Sequence, residues 1–196
     1  MTTRRLVVLG GTFDPVHIGH LSLLRGARKV LDAALGVVVV EDGHRHRAVP
    51  VAPVQDRRHL VQLAIDGDGT LSEASQMGID VGLVGAVDHL RDLGHEVHVV
   101  FGSDSARHLD RWNGRQLLRG AELWVVPRQG DADGGCPGVG RLPVLVPAVS
   151  ATQIRLAAAA RRRSQAAVPP PCRARVDCLY GASNGVDDRA TAYESA

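Results

Sequence analysis

Leu6-Val7-Val8-Leu9 is a continuous apolar run that stops at Gly10-Gly11, and from Val16 the apolar positions Ile18, Leu21, Leu24 and Ala27 recur at helical spacing up to Leu31. An apolar run bounded by glycine and followed by a 3.6-residue period predicts a strand, a tight turn and a helix, with Pro15 suited to the helix start. The unit repeats: Val37 to Val40 reads as a second buried strand, Glu41 to Val54 as a polar, proline-punctuated loop, and Leu60, Leu63 and Ala64 mark a helix. Further along, the pattern predicts a helix over 83–93 stopped by Gly94, a strand over 95–101, a short helix over 116–119 and a strand over 123–126. A last strand is expected over 142–146, a helix over 151–163, and a Gly-rich loop over 130–140. Short strands alternating with helices imply an α/β chain with a parallel sheet covered on both faces and a crevice at the strands' carboxyl ends. One domain over 1–181 is expected, followed by a polar, flexible tail over 182–196 with little to bury.

Composition narrows what such a sheet serves. The 196 residues carry 23 basic and 21 acidic side chains, and 44% are hydrophobic, enough for a core without staples. Only 3% are aromatic, too few to make stacking platforms for single-stranded nucleic acid. The longest apolar-plus-glycine stretch, Ala33 to Val40, is far short of the roughly 20 residues of a membrane helix, and no signal peptide is legible at the start. A cytoplasmic chain without nucleic-acid or membrane partners is therefore expected. Cys136, Cys172 and Cys178 show no metal-ligand or disulfide spacing, so free thiols are expected.

The glycine turn carries the chemistry. The string Gly10-Gly11-Thr12-Phe13-Asp14-Pro15-Val16-His17-Ile18-Gly19-His20 spans the passage from strand to helix. Its glycines let backbone N–H groups approach an anion, and a helix N-terminus behind them favours negative charge. His17 and His20 share one helical face, and Gly19 leaves room beside them. The spacing matches neither a Walker A loop nor a dinucleotide fingerprint.

This string resembles the signature of the HxGH nucleotidyltransferases, a Rossmann-like, doubly wound parallel-sheet superfamily that moves a nucleotidyl group from a nucleoside triphosphate to a phosphate monoester. Phe101-Gly102-Ser103-Asp104, Trp112, the run Glu122 to Gly130, Val149-Ser150-Ala151-Thr152-Gln153-Ile154-Arg155 and the closing Val176 to Tyr180 resemble the bacterial nicotinate mononucleotide adenylyltransferases. The resemblance implies transfer of AMP from ATP, carried with Mg²⁺, to nicotinate mononucleotide or a related phosphate monoester with release of pyrophosphate. It makes His17, His20 and Arg155 catalytic, and gives Gly10, Gly11, Thr12, Phe13, Gly19, Gly102, Asp104, Ser150 and Thr152 to the nucleotide. Asp14, Trp112, Arg128, Arg45 and Arg47 go to the acceptor, and no protein metal site is implied. Alternatives are a nucleotidyltransferase using ATP or CTP on another phosphate or phosphonate, and a catalytically silent nucleotide-binding protein. The oligomeric state stays open, a homodimer among the options.

The acceptor half departs from that pattern. The loop after the second strand reads Glu41-Asp42-Gly43-His44-Arg45-His46-Arg47 where the family carries a substrate-closing lysine. The chain has 22 arginines and a single lysine, Lys29, which lies on the first helix instead. Arg45 or Arg47 is expected to take the charge. His44 and His46 have the spacing of metal ligands or of a solvated basic loop.

Overall fold

Apolar runs build the sheet. The computed structural model describes residues 3–43, 49–112, 114–127, 138–160 and 166–181. Six parallel strands are found among them: β1 (Arg5–Gly11), β2 (Leu35–Val40), β3 (Leu71–Glu73), β4 (Glu96–Gly102), β5 (Glu122–Val126) and β6 (Gly140–Arg141). They lie in the order β3-β2-β1-β4-β5-β6. In β1, Val7 and Leu9 point to one face and Leu6 and Val8 to the other, each into its own apolar cluster. That double burial is why the run has no polar alternation. One face packs α1 (Ile18–Val30), α2 (Val54–Ile65), α6 (Ala151–Ala159) and α7 (Arg173–Tyr180). The other packs α3 (Leu83–Asp92), the short helix α4 (Ser103–Ala106) and Leu118, which directly follows the short helix α5 (Gly114–Leu117).

The expected α/β doubly wound architecture is thus the observed one. Four details differ. The helix after the glycine turn begins at Ile18 with His17 as its N-cap, so Pro15 precedes it rather than opening it. The expected strand over 142–146 is absent. Pro143 has no amide to donate, and after the Leu142 N–H to Val125 carbonyl bond at 2.9 Å the ladder stops. The sixth strand is instead the Gly140–Arg141 pair beside Trp124 and Val125. The helix expected over 151–163 closes at Ala159, capped by Ala160. The short helix expected over 116–119 lies two residues earlier, at Gly114–Leu117. The tail over 182–196 lies outside the described residues.

Candidate active site

The strand order reverses between β1 and β4. The chain leaves β1 for α1 on one face and β4 for α4 on the other, so their carboxyl ends splay and open a crevice. A cleft of about 430 Å³ sits there. Its walls include Gly10 to Asp14 after β1, His17, Gly19 and His20 on α1, and Gly102 and Asp104 after β4. Val49 and Pro50 line it as well, as do Ser150, the N-cap of α6, and Thr152 and Arg155 of that helix.

Close packing explains the glycines. A Cβ on Gly11 would stand 3.2 Å from the Phe13 ring, which is carried by a left-handed backbone at φ 49°. On Gly19 it would stand 3.0 Å from His17 Nδ1 and 3.4 Å from the Pro147 carbonyl oxygen. Gly19 therefore lets both the His17 ring and the segment leading into α6 reach the first turn of α1. Two helix N-termini converge on the cleft as a result, each lending unpaired amides and partial positive charge.

His17 is buried, and its ring stacks on His20 with centroids 3.6 Å apart and planes 18° apart. The Phe13 ring meets His20 edge-on at 4.9 Å and fixes its other side. The backbone N–H of His17 donates to His20 Nδ1 at 3.2 Å, which places the neutral His20 ring's proton on Nε2. The Arg155 guanidinium joins them: Nη1 donates to the Asp14 carbonyl at 2.6 Å, and Nη2 to Thr152 Oγ1 at 3.4 Å. The cleft so combines two imidazoles, a guanidinium, a hydroxyl and two helix ends, a donor set suited to a polyphosphate.

Asp14 lines the cleft, yet its carboxylate is spent on the protein. Oδ2 accepts the Val51 N–H at 2.8 Å, and Oδ1 accepts the Ala52 N–H at 3.2 Å and the Tyr180 hydroxyl at 2.6 Å. Burial, then the bond to Asp14, pushes the Tyr180 phenol well above its ordinary range. Beyond Asp14 lies a residue that the motifs did not flag. Arg57 of α2 is 1% exposed and donates to the carbonyls of Thr12, Glu41, Asp42 and Ala52 at 2.6, 2.6, 2.8 and 2.9 Å. Burial lowers its pKa against the opposing charges of Asp14 and Asp42. The one sequence signal is its position: Arg57 falls on the stripe of α2 that also carries Leu60, Val61 and Ile65, where an apolar residue is expected.

Arg45, Arg47, Arg128, His44 and His46, together with the Trp112 side chain, lie outside the described residues. Among the described residues, one group of three metal-ligating side chains exists: Glu96, His98 and Glu122, at the amino ends of β4 and β5, away from the cleft. It is already tied together. Arg5 Nε donates to Glu96 at 3.0 Å, Glu96 meets His98 Nε2 at 2.8 Å, and the Trp124 indole donates to His98 Nδ1 at 3.0 Å. Cys172 and Cys178 form no disulfide. No helix among the described residues is long and apolar enough to cross a membrane.

Residues 8–157 match the model of the cytidylyltransferase-like family. The chain is 34% identical over 162 residues to a probable nicotinate-nucleotide adenylyltransferase of Thermus thermophilus, covering 77% of this chain and 84% of the relative. A probable nicotinate-nucleotide adenylyltransferase of Stenotrophomonas maltophilia is 35% identical over 145 residues, a match that spans only 65% of that protein's length and 65% of this chain. Among solved structures, the Plasmodium falciparum nicotinic acid mononucleotide adenylyltransferase complexed with NaAD superposes with a TM-score of 0.66 at 13% identity, over 90% of this chain and 94% of its own. That last likeness establishes the shared fold, while the sequence matches reach further. The chain belongs to the cytidylyltransferase-like family, on the branch of the nicotinate-nucleotide adenylyltransferases.

Proposed function

We propose that the chain is a nucleotidyltransferase that moves AMP from ATP onto nicotinate mononucleotide or a closely related phosphate monoester and releases pyrophosphate. The observation that carries this reading is the stacked His17–His20 pair at the glycine turn, which lines, together with Arg155, a cleft at the strand-order reversal. The acceptor phosphate attacks the α-phosphorus in line, the bond to the bridging oxygen breaks, and pyrophosphate leaves. No protein nucleophile is required, so the residues contribute position and charge.

In this reading His17 and His20 hold the α- and β-phosphates with the α1 N-terminus behind them. His20 Nε2–H is the donor that follows the charge as it builds on the transferring group. The amides of Gly10 to Phe13 approach the phosphates, Gly102 and Asp104 place the ribose, and Ser150, Thr152 and Arg155 hold the leaving pyrophosphate. Asp14 acts on the acceptor side through the Val51–Ala52 segment that it grips. Trp112, Arg128, Arg45 and Arg47 complete the acceptor side.

The triphosphate is proposed to carry Mg²⁺, which when bound neutralises phosphate charge and orients the leaving group. The donor set fits an ion carried on phosphates rather than in a protein cage. With the Asp14 oxygens committed to Val51, Ala52 and Tyr180, Asp104 is the other carboxylate in the cleft lining and would be the one to hold it.

Pyrophosphate release is the test. ATP and CTP are each paired with nicotinate mononucleotide, nicotinamide mononucleotide and unrelated phosphate monoesters. Release with ATP and a pyridine mononucleotide is expected. Release confined to CTP or to an unrelated acceptor overturns the substrate assignment, and release with no pair leaves a nucleotide-binding protein.

A further inference from the structure

Arg57 is the largest of the fully buried side chains. A buried guanidinium costs several kcal/mol unless its charge and donors are met. Its carboxylate neighbour Asp42 stands 3.8 Å away with a side chain 91% exposed, so that pairing is weak. Backbone carbonyls meet the donors instead, and they come from three separate segments. Thr12 belongs to the glycine turn after β1, Glu41 and Asp42 to the exit of β2, and Ala52 to the approach to α2.

These three segments are the two sides of the reaction. The grip on the Thr12 carbonyl fixes the residue before Phe13, whose ring braces His20. The grip on the Ala52 carbonyl works with Asp14, which takes the Val51 and Ala52 amides, so segment 51–52 is held from both sides. The next residues back, Val49 and Pro50, line the same cleft as the histidines. One planar, five-donor side chain thereby sets the spacing between the phosphate-binding turn and these two residues.

We propose that Arg57 is a positioning residue of the transfer reaction: it couples the glycine turn to the Val49–Pro50 wall and so holds the acceptor phosphate in line with the α-phosphorus. The inference rests on the transferase reading above. Lysine cannot replace it, because a point ammonium with three donors cannot span four carbonyls held in a fork. A displacement of about 1 Å costs on the order of 100-fold in such a reaction.

Arg57→Lys is compared with the wild type by thermal melting, calorimetric ATP binding, steady-state pyrophosphate release and amide hydrogen exchange. The variant is expected to melt cooperatively and to bind ATP within about threefold of wild type. Its kcat/KM for the acceptor falls about 100-fold. Without any ligand, exchange at the Val51 and Ala52 amides speeds up at least tenfold while β1 amides are unchanged. Acceptor kcat/KM within threefold of wild type overturns the proposal, as does a parallel loss of ATP binding and acceptor turnover. Should the Lys variant fail to fold, Arg57→Gln carries the same measurements, and unfolding of both makes Arg57 a stability residue only and overturns the proposal. Wild-type protein that releases no pyrophosphate from any pair sinks the transferase reading. The ligand-free exchange then still decides whether Arg57 couples the segments, with unchanged Val51 and Ala52 exchange refuting it.

Discussion

His20 lines the cleft and is held from three directions, by the His17 ring, the Phe13 edge and the His17 backbone N–H, and in the proposed reading its Nε2–H is the donor to the transferring group. A donor that needs no reorganisation as charge develops is worth about 10²–10³ in turnover. His20→Ala is therefore expected to lose at least that factor in pyrophosphate release while keeping its circular-dichroism spectrum and melting temperature. Turnover close to wild type would sink the role given to His20. The same scale separates the two described thiols. Cys172 is buried, its thiol donates to the Leu60 carbonyl at 3.2 Å, and burial pushes its pKa up to about 11. A thiolate reagent at pH 8 is expected to modify exposed Cys178 in the folded protein and Cys172 only after denaturation. Equal labelling of both in the native state would contradict this.

Elements depend on ties of another kind. The turn between α2 and β3 is fastened by Asp68, which accepts the Thr70 hydroxyl at 2.6 Å, the Thr70 amide at 3.1 Å and Arg25 Nε of α1 at 2.9 Å. The Thr70 hydroxyl first, with Arg25 and the Thr70 amide adding to it, holds the Asp68 carboxyl below its ordinary value. A carboxyl depressed in the folded state stabilises above its unfolded pKa, and that contribution disappears as pH falls through the folded value. Asp68→Asn is expected to cost about 1 kcal/mol at pH 7, roughly 2–4 °C in melting temperature for a chain of this length. The deficit should shrink toward pH 3, and a deficit equal at both pH values refutes the assignment. At this scale, too, the reach of sequence reading is visible. The strands β1, β2 and β5 are legible because they carry an unbroken apolar run, and β4 because Val97 and Val99-Val100-Phe101 flank a single buried histidine, His98. β3 is not, because Leu71-Ser72-Glu73 is an edge strand whose buried Glu73 carboxylate accepts from Ser75 and from Gln62, a role with no apolar signature. The histidine pair and Gly19 are legible because turn, stacking and close approach all act within eleven consecutive residues. Arg57 escapes, as does the pairing of Tyr180 with Asp14, because their partners are brought to them only by the folded sheet, in the case of Tyr180 and Asp14 across 166 positions of sequence.

The whole molecule is closed by that longest-range contact. α7 docks on α6, and its last residue, Tyr180, buries its ring and donates to Asp14, so the last described helix is tied directly to the glycine turn. Arg175 of the same helix pairs with Asp56 of α2, the residue next to Arg57. The loops around the cleft are thus held by a frame that only the complete fold assembles, and loosening α7 should be felt at Val51 and Ala52 through Asp14. Tyr180→Phe keeps the ring and removes the donor, leaving a buried carboxylate oxygen with one partner fewer, at a cost of about 1–3 kcal/mol. In urea the midpoint is expected to fall with the slope unchanged, since the surface exposed on unfolding is the same. The pH dependence then reports on the burial of the phenol and its bond to Asp14 together. The folded state holds the phenol proton more tightly than the unfolded chain, whose Tyr ionises near pH 10, so the stabilisation is complete below that pH and declines as pH rises above it. Midpoints of wild type and Tyr180→Phe measured at pH 8 and pH 11 should therefore converge at the higher pH. A gap that stays constant would mean that folding leaves the phenol's hold on its proton unchanged, which refutes the buried, bonded placement of Tyr180.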